Sequence, residues 1–218
     1  MKLLVVCAAN ICRSPGAEVL FNQAFSNSKI ISESNINIEV SSAGTNAVQG
    51  SKRCEASSAI TGPHVGEGSV ELTTDLIRDS NLILATGKTQ RGLIVKAAPR
   101  DRNRIYTLRE CASLAEYITS AGLALDAASG LVNLEESVID LEQVPALPAL
   151  PSERVRWFLG ELDAWRGQTP VTVDDVNGDA LDIPDPHDAR NDIHPEAFAL
   201  IAEVVTKFTS ALELVLSR

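Results

Sequence analysis

Short apolar runs alternate with helical patterns through the first half of the chain. Leu3 to Val6 is an unbroken apolar run, as expected of a strand buried on both faces. Beyond it, Val19, Leu20, Ala24 and Phe25 recur at helical spacing, with Ser14 placed as N-cap and Pro15 at the first helical position. Ile36, Ile38 and Val40 alternate with polar residues and lead into Ser41-Ser42-Ala43-Gly44, which predicts a second strand. Leu72 to Asp79 reads as a helix, Asn81 to Ala85 as a third, buried strand, and Arg104 to Thr107 as a short fourth. From Pro195 onward Phe198, Ile201, Val205, Phe208 and Leu212 share one face of an amphipathic helix long enough to cover a sheet. Strands alternating with helices predict an α/β fold: a three-layer sandwich around a four-stranded parallel sheet. A single domain is expected over 1–218, with an insertion at about 112–180, where Pro145, Pro148 and Pro151 break the pattern. Within it Ser152 to Arg166 looks helical and carries Trp157 and Trp165, either of which could reach the mouth of a site.

Composition narrows the classes. The 218 residues are 44% apolar and 22% charged, which fits an ordinary globule and excludes collagen-like, disordered and coiled-coil chains. The opening apolar run is too short to span a membrane and poorly flanked for an export signal, so a cytoplasmic location is expected. Four cysteines in that setting read as thiols, with Cys54 and Cys111 as packing residues. A net charge of −10 opposes bulk binding to nucleic acid or anionic membrane, and neither is expected as a partner. Residues 86–110 are the exception, with seven Lys or Arg against two acids; they read as a solvated helix face and loop. The three histidines and four cysteines lack the short spacings of a structural metal site, so no metal and no cofactor is expected.

The candidate chemistry sits where the first strand meets the first helix, in Cys7-Ala8-Ala9-Asn10-Ile11-Cys12-Arg13. Such a junction points backbone N–H groups inward, and with the helix dipole they make an anion site. A cysteine at its base feels the same field, which favours the thiolate, so Cys7 can act as a nucleophile. Five intervening residues let the chain wrap once around a tetrahedral oxyanion, with the amides of Ala8, Ala9, Asn10, Ile11, Cys12 and Arg13 as phosphate donors. Arg13 returns beside it as a planar fork. Asn10 suits a left-handed turn position, and Ser14 can donate its hydroxyl to the thiolate. A leaving alkoxide or phenolate needs a proton that a thiolate and an arginine cannot give. Asp185, between Pro184 and Pro186, is a fitting donor, with Asp182 as a rival acid. His187 and His194 read as loop and helix-start residues.

The run from Cys7 to Pro15 resembles the phosphate loop of the low-molecular-weight protein tyrosine phosphatases. Ser42-Ala43-Gly44-Thr45, the apolar strand Asn81 to Ala85 and Pro184-Asp185-Pro186 match further family motifs in the same order. The likeness covers residues 1 to about 110 and 182–218. It implies a phosphate loop between first strand and first helix, with Cys7 as nucleophile, Arg13 as phosphate clamp and Asp185 as general acid. Asn10, Ser14 and Ser42 would hold the loop in shape. It departs at Gly16, where the family carries a bulky apolar residue, and at His187, where it carries an aromatic.

The function expected is therefore a phosphomonoester hydrolase, of protein tyrosine phosphatase type, acting through a phosphocysteine. Its partners would be phosphorylated protein or small aryl phosphates, with inorganic phosphate as product. Two alternatives stay open: a thiol-dependent arsenate reductase of the same fold, and a non-catalytic phosphate-binding module. Cys54 and Cys111 lie too far apart in sequence to suggest the close thiol pair an arsenate relay would use.

Overall fold

A computed structural model describes residues 1–120, 147–167, 180–187 and 192–218. Four strands, β1 (Lys2–Cys7), β2 (Glu39–Gly44), β3 (Leu82–Ala85) and β4 (Ile105–Thr107), form one parallel sheet in the order β2-β1-β3-β4. Leu3 pairs in register with Val40 on one side and Leu82 on the other, so β1 is a central strand. The apolar run that marked β1 has two faces to fill. Leu3 and Val5 join Leu82, Leu84 and Tyr106 in one core, while Leu4 and Val6 join Ile83, Ala85 and Ile105 in a second. The first core is closed by α1 (Arg13–Asn27), α6 (Leu108–Ser120), α7 (Pro151–Ala164) and α8 (His194–Ser217); the second by α4 (Thr74–Asp79) and α5 (Lys88–Ala97). This is the three-layer α/β sandwich expected. Two short helices, α2 (Lys29–Glu33) and α3 (Glu55–Thr61), complete the described elements, with a 3-10 turn over Pro99–Arg104.

The first core is unusually aromatic for a chain with five phenylalanines. Phe208 of α8 lies 6.0 Å from Phe21, 6.5 Å from Phe25 and 5.8 Å from Phe158, ring centre to ring centre. Each such ring, fully buried, contributes on the order of 2 to 3 kcal/mol. The fifth, Phe198, accounts for Gly16: a Cβ there would stand 2.3 Å from the Phe198 ring, so α8 supplies the apolar bulk that α1 lacks.

Three expectations change. Ser14 is not the cap of α1; the helix starts at Arg13 behind Cys12, and the Ser14 hydroxyl is committed to Cys7 and Ala43. The second strand begins at Glu39, with Ile36 and Ile38 packing on the core from the preceding loop. The boundary expected at 112 falls inside α6, whose Cys111, Ala112, Leu114, Ala115 and Ile118 are all buried. Residues 121–146 and 168–179 of the expected insertion lie outside the described residues. No described helix is long and apolar enough to cross a membrane.

Candidate active site

The loop after β1 is shaped by what its carbonyls do. The carbonyls of Cys7 and Ala8 accept from the backbone N–H groups of Thr45 and Asn46 at 3.0 and 2.9 Å. That of Asn10 accepts from Arg53 Nη1 at 2.8 Å, that of Ile11 from Cys54 N–H at 2.7 Å, and that of Cys12 from Ser57 Oγ at 3.2 Å. These bonds commit five carbonyls of the loop to the scaffold, while Asn10 N–H points to Cys7 Sγ. Gly44, at the end of β2, permits the close approach: a Cβ there would stand 2.5 Å from the Ala8 carbonyl oxygen.

Asn10 takes the left-handed conformation expected of it, with φ of 52°, and is fully buried. Its Nδ2 donates to Ser14 Oγ and Ser42 Oγ, both at 2.9 Å, and its Oδ1 accepts from Val70 N–H at 2.8 Å and Arg53 Nη1 at 3.0 Å. Every lone pair and proton of that amide has a partner, so the turn is pinned. Ser42 in turn donates to Glu18 Oε2 at 2.6 Å. Burial pushes the Glu18 carboxyl up, opposed by the Ser42 hydrogen bond and the Arg53 guanidinium.

Cys7, 3% exposed, accepts two hydrogen bonds at Sγ, from Asn10 N–H at 3.1 Å and from Ser14 Oγ at 3.0 Å. Arg13 sits across the loop, donating from Nη1 to the Ile183 carbonyl at 3.0 Å and from Nη2 to Asp185 Oδ2. Asp185 thus faces the loop after β1 through Arg13. Asp182 is engaged elsewhere. Its Oδ1 accepts from Lys88 N–H at 2.7 Å, tying the acid segment to the start of α5, while Ile183 N–H donates to the Thr86 carbonyl at 2.7 Å. The cavity over the loop is bounded by Arg13 and Asp185, with Thr89, Gln90, Arg109 and Leu200 as its walls. Arg109 comes from the basic tract; Arg91 and Arg104 of that tract pair internally with Glu110 and Asp101.

Neither tryptophan of α7 and its end reaches this cavity. Trp165 packs 5.6 Å from the Tyr117 ring and donates to Glu161 at 3.0 Å, and Trp157 lies against the core. Cys111 is buried packing, as expected, and burial pushes its thiol well above the ordinary range. Cys54 is more than packing: it caps α3 and lies 3.4 Å from His194 Nε2. Burial, with Cys54 alongside, pushes the Cys12 thiol up as well. Together with His187, these three residues form a group of four potential metal ligands that sequence spacing did not disclose. Arg53 and Glu18 were missed too; each reaches the loop only through the fold, and no local pattern marks either.

Comparison with known proteins agrees with this geometry. The family model for "Low molecular weight phosphotyrosine protein phosphatase" matches residues 2–126. The protein-arginine-phosphatase of Bacillus subtilis is 31% identical over 144 residues, 64% of this chain and 88% of that protein. The probable low molecular weight protein-tyrosine-phosphatase AmsI of Erwinia amylovora is 34% identical over 107 residues, 47% of this chain and 67% of that protein. In fold, the chain is similar to the crystal structures of E. amylovora AmsI (TM-score 0.55, 19% identity, 96% of this chain and 91% of that one) and of B. subtilis YfkJ (TM-score 0.56, 18% identity, 96% and 92%). The chain therefore belongs to the low molecular weight phosphotyrosine protein phosphatase family and is a cysteine-dependent phosphatase.

Proposed function

We propose that this chain hydrolyses aryl phosphate esters of phosphotyrosine type, with Cys7, Arg13 and Asp185 as its catalytic residues. The observation that carries the reading is the pair of donors on Cys7 Sγ at the base of a loop whose carbonyls are turned away. The phosphate of the substrate enters the loop, takes hydrogen bonds from the amides of residues 8–13, and replaces Asp185 and Ile183 on the Arg13 fork. The Cys7 thiolate attacks phosphorus in line; the P–O bond breaks and Asp185 gives its proton to the leaving oxygen. Asp185, now a carboxylate, takes a proton from water, whose oxygen attacks phosphorus, and the P–S bond breaks to release phosphate and thiolate. Asn10, Ser14 and Ser42 position the loop.

The charge at the cavity wall bears on substrate. Arg109 opposes a cationic guanidinium leaving group and favours the anionic phenolate of an ester, although similarity to an arginine phosphatase keeps phosphoarginine as the second reading. A cytoplasmic setting suits a thiol enzyme whose four cysteines are all free. The acidic net charge supports proteins or small esters, rather than nucleic acid or membrane, as partners. Turnover of phosphotyrosine peptide, phosphoarginine and arsenate, measured side by side, tests the assignment. The aryl ester should be preferred and Cys7→Ser should cut its turnover by ~10³-fold or more while phosphate binding persists. Arsenate reduction with no ester hydrolysis would overturn it.

A further inference from the structure

The four potential ligands noted beside the active site come from four separate segments. Cys12 ends the phosphate loop, Cys54 precedes α3, His187 follows the acid segment and His194 begins α8. One donor atom from each lies within 4.8 Å of all the others. Cys54 Sγ and His194 Nε2 are 3.4 Å apart, and the His187 and His194 rings meet edge to face at 5.3 Å and 87°. A tetrahedral zinc holding two sulfurs and two nitrogens spaces its donors about 3.3 to 3.8 Å apart, so a convergence of about 1 Å at the widest pair completes the geometry. A second observation points the same way. Asp192 Oδ1 lies 2.6 Å from His194 Nδ1, which leaves Nε2 free to face Cys54; a carboxylate behind a histidine is the arrangement that orients metal-binding imidazoles.

The geometry points to a binding site for one zinc-class divalent cation, formed by Cys12, Cys54, His187 and His194 and supported by Asp192. Two sulfur and two nitrogen donors select zinc over the oxygen-seeking cations calcium and magnesium. On binding, both thiols release their protons to solvent, two S–metal bonds form, and the two thiolates neutralise the dication. Because His187 stands two residues from Asp185, the metal cross-links the acid segment to the end of the phosphate loop and to the start of α8. Nothing in the phosphate chemistry uses these side chains, so the site stands or falls independently of the substrate assignment.

Titration of the metal-free full-length chain with cobalt(II), followed by absorption, is the direct test. One cobalt per chain should bind with the intense ligand-field bands of a tetrahedral site and a thiolate charge-transfer band, and one equivalent of zinc should bleach both. Cys54→Ser and His187→Ala should each weaken zinc binding by about 100-fold or more, and Asp192→Asn by about 10-fold to 100-fold. His187 is exposed, so its variant reports on binding even if Cys54→Ser folds poorly. Weak octahedral spectra, or a metal lost in Cys7→Ser and retained in both Cys54→Ser and His187→Ala, would overturn the site and place the ion on the nucleophile.

Discussion

Asn10 shows how much of an active-site loop one side chain can fix. Its backbone takes the left-handed turn, its amide joins Ser14 and Ser42 to the loop, and its carbonyl oxygen anchors Arg53 and Val70. Behind Ser42 stands Glu18, whose folded-state carboxyl is raised, first by burial. A raised carboxyl binds its proton more tightly folded than unfolded, so its contribution to stability is full below the ordinary carboxylate range and is lost as pH rises through the folded value. Glu18→Gln keeps an acceptor for Ser42 and removes the charge. Chemical denaturation of both proteins from about pH 4 to pH 7 should show the variant gaining on the parent as pH rises; a constant difference would mean the carboxylate is not penalised by its setting. The sequence disclosed Cys7, Asn10, Arg13 and Ser14 because a phosphate loop is contiguous and its chemistry is local. Glu18, Arg53, Cys54 and His194 reach the site across intervening chain, and residues brought together only by packing leave no spacing to read.

The acid segment is held through three residues: Asp182 on α5, Ile183 on Thr86 and on Arg13, and Asp185 on Arg13. The two carboxylates differ in what they hold. Asp185→Asn should lower turnover of esters with poor leaving groups by about 10² to 10⁴-fold, with a smaller loss for activated aryl esters. Asp182→Asn, which keeps an acceptor for Lys88, should have a much smaller effect on kcat. Equal losses in the two would shift the proton donor away from Asp185. Pattern alone suggested an inserted helix, but not that Phe158 would be fully buried against Phe208, nor that Arg154 would reach the Leu216 carbonyl at 3.1 Å. Just past its end, Arg166 lies 3.7 Å over the Tyr106 ring and donates to the Ile105 carbonyl at 2.9 Å, fastening the helix to β4. Phe158→Ala should therefore cost about 3 to 5 kcal/mol in equilibrium unfolding. A loss under about 1 kcal/mol would show that α7 rests on the domain without stabilising it. Its periodicity marked the helix, but where a helix docks depends on partners far along the chain.

For the whole molecule, the alternation of runs and periods foretold the layers, because a parallel strand covered on both faces must be apolar throughout and its crossovers must be helical. Helices α2 and α3 leave no trace in the pattern because five and seven residues are too few to show a period, while α5 falls in the basic tract read as a solvated helix face and loop, its bounds blurred because Gly92 and a polar surface dilute its apolar stripe. The order of parts along the chain carries one more implication. A ribosome delivering this polypeptide has released all four strands, and Cys7 with them, once residue 107 emerges. The segment bearing Asp185 and the helix that closes the first core follow some eighty residues later. At that stage α1, α4 and α5 are already made, but Arg13 stands without Asp185 and Gly16 without the Phe198 ring that backs it. Docking of the segment bearing Asp185 and of α8 onto the waiting sheet then brings Asp185 to the loop and closes the first core together.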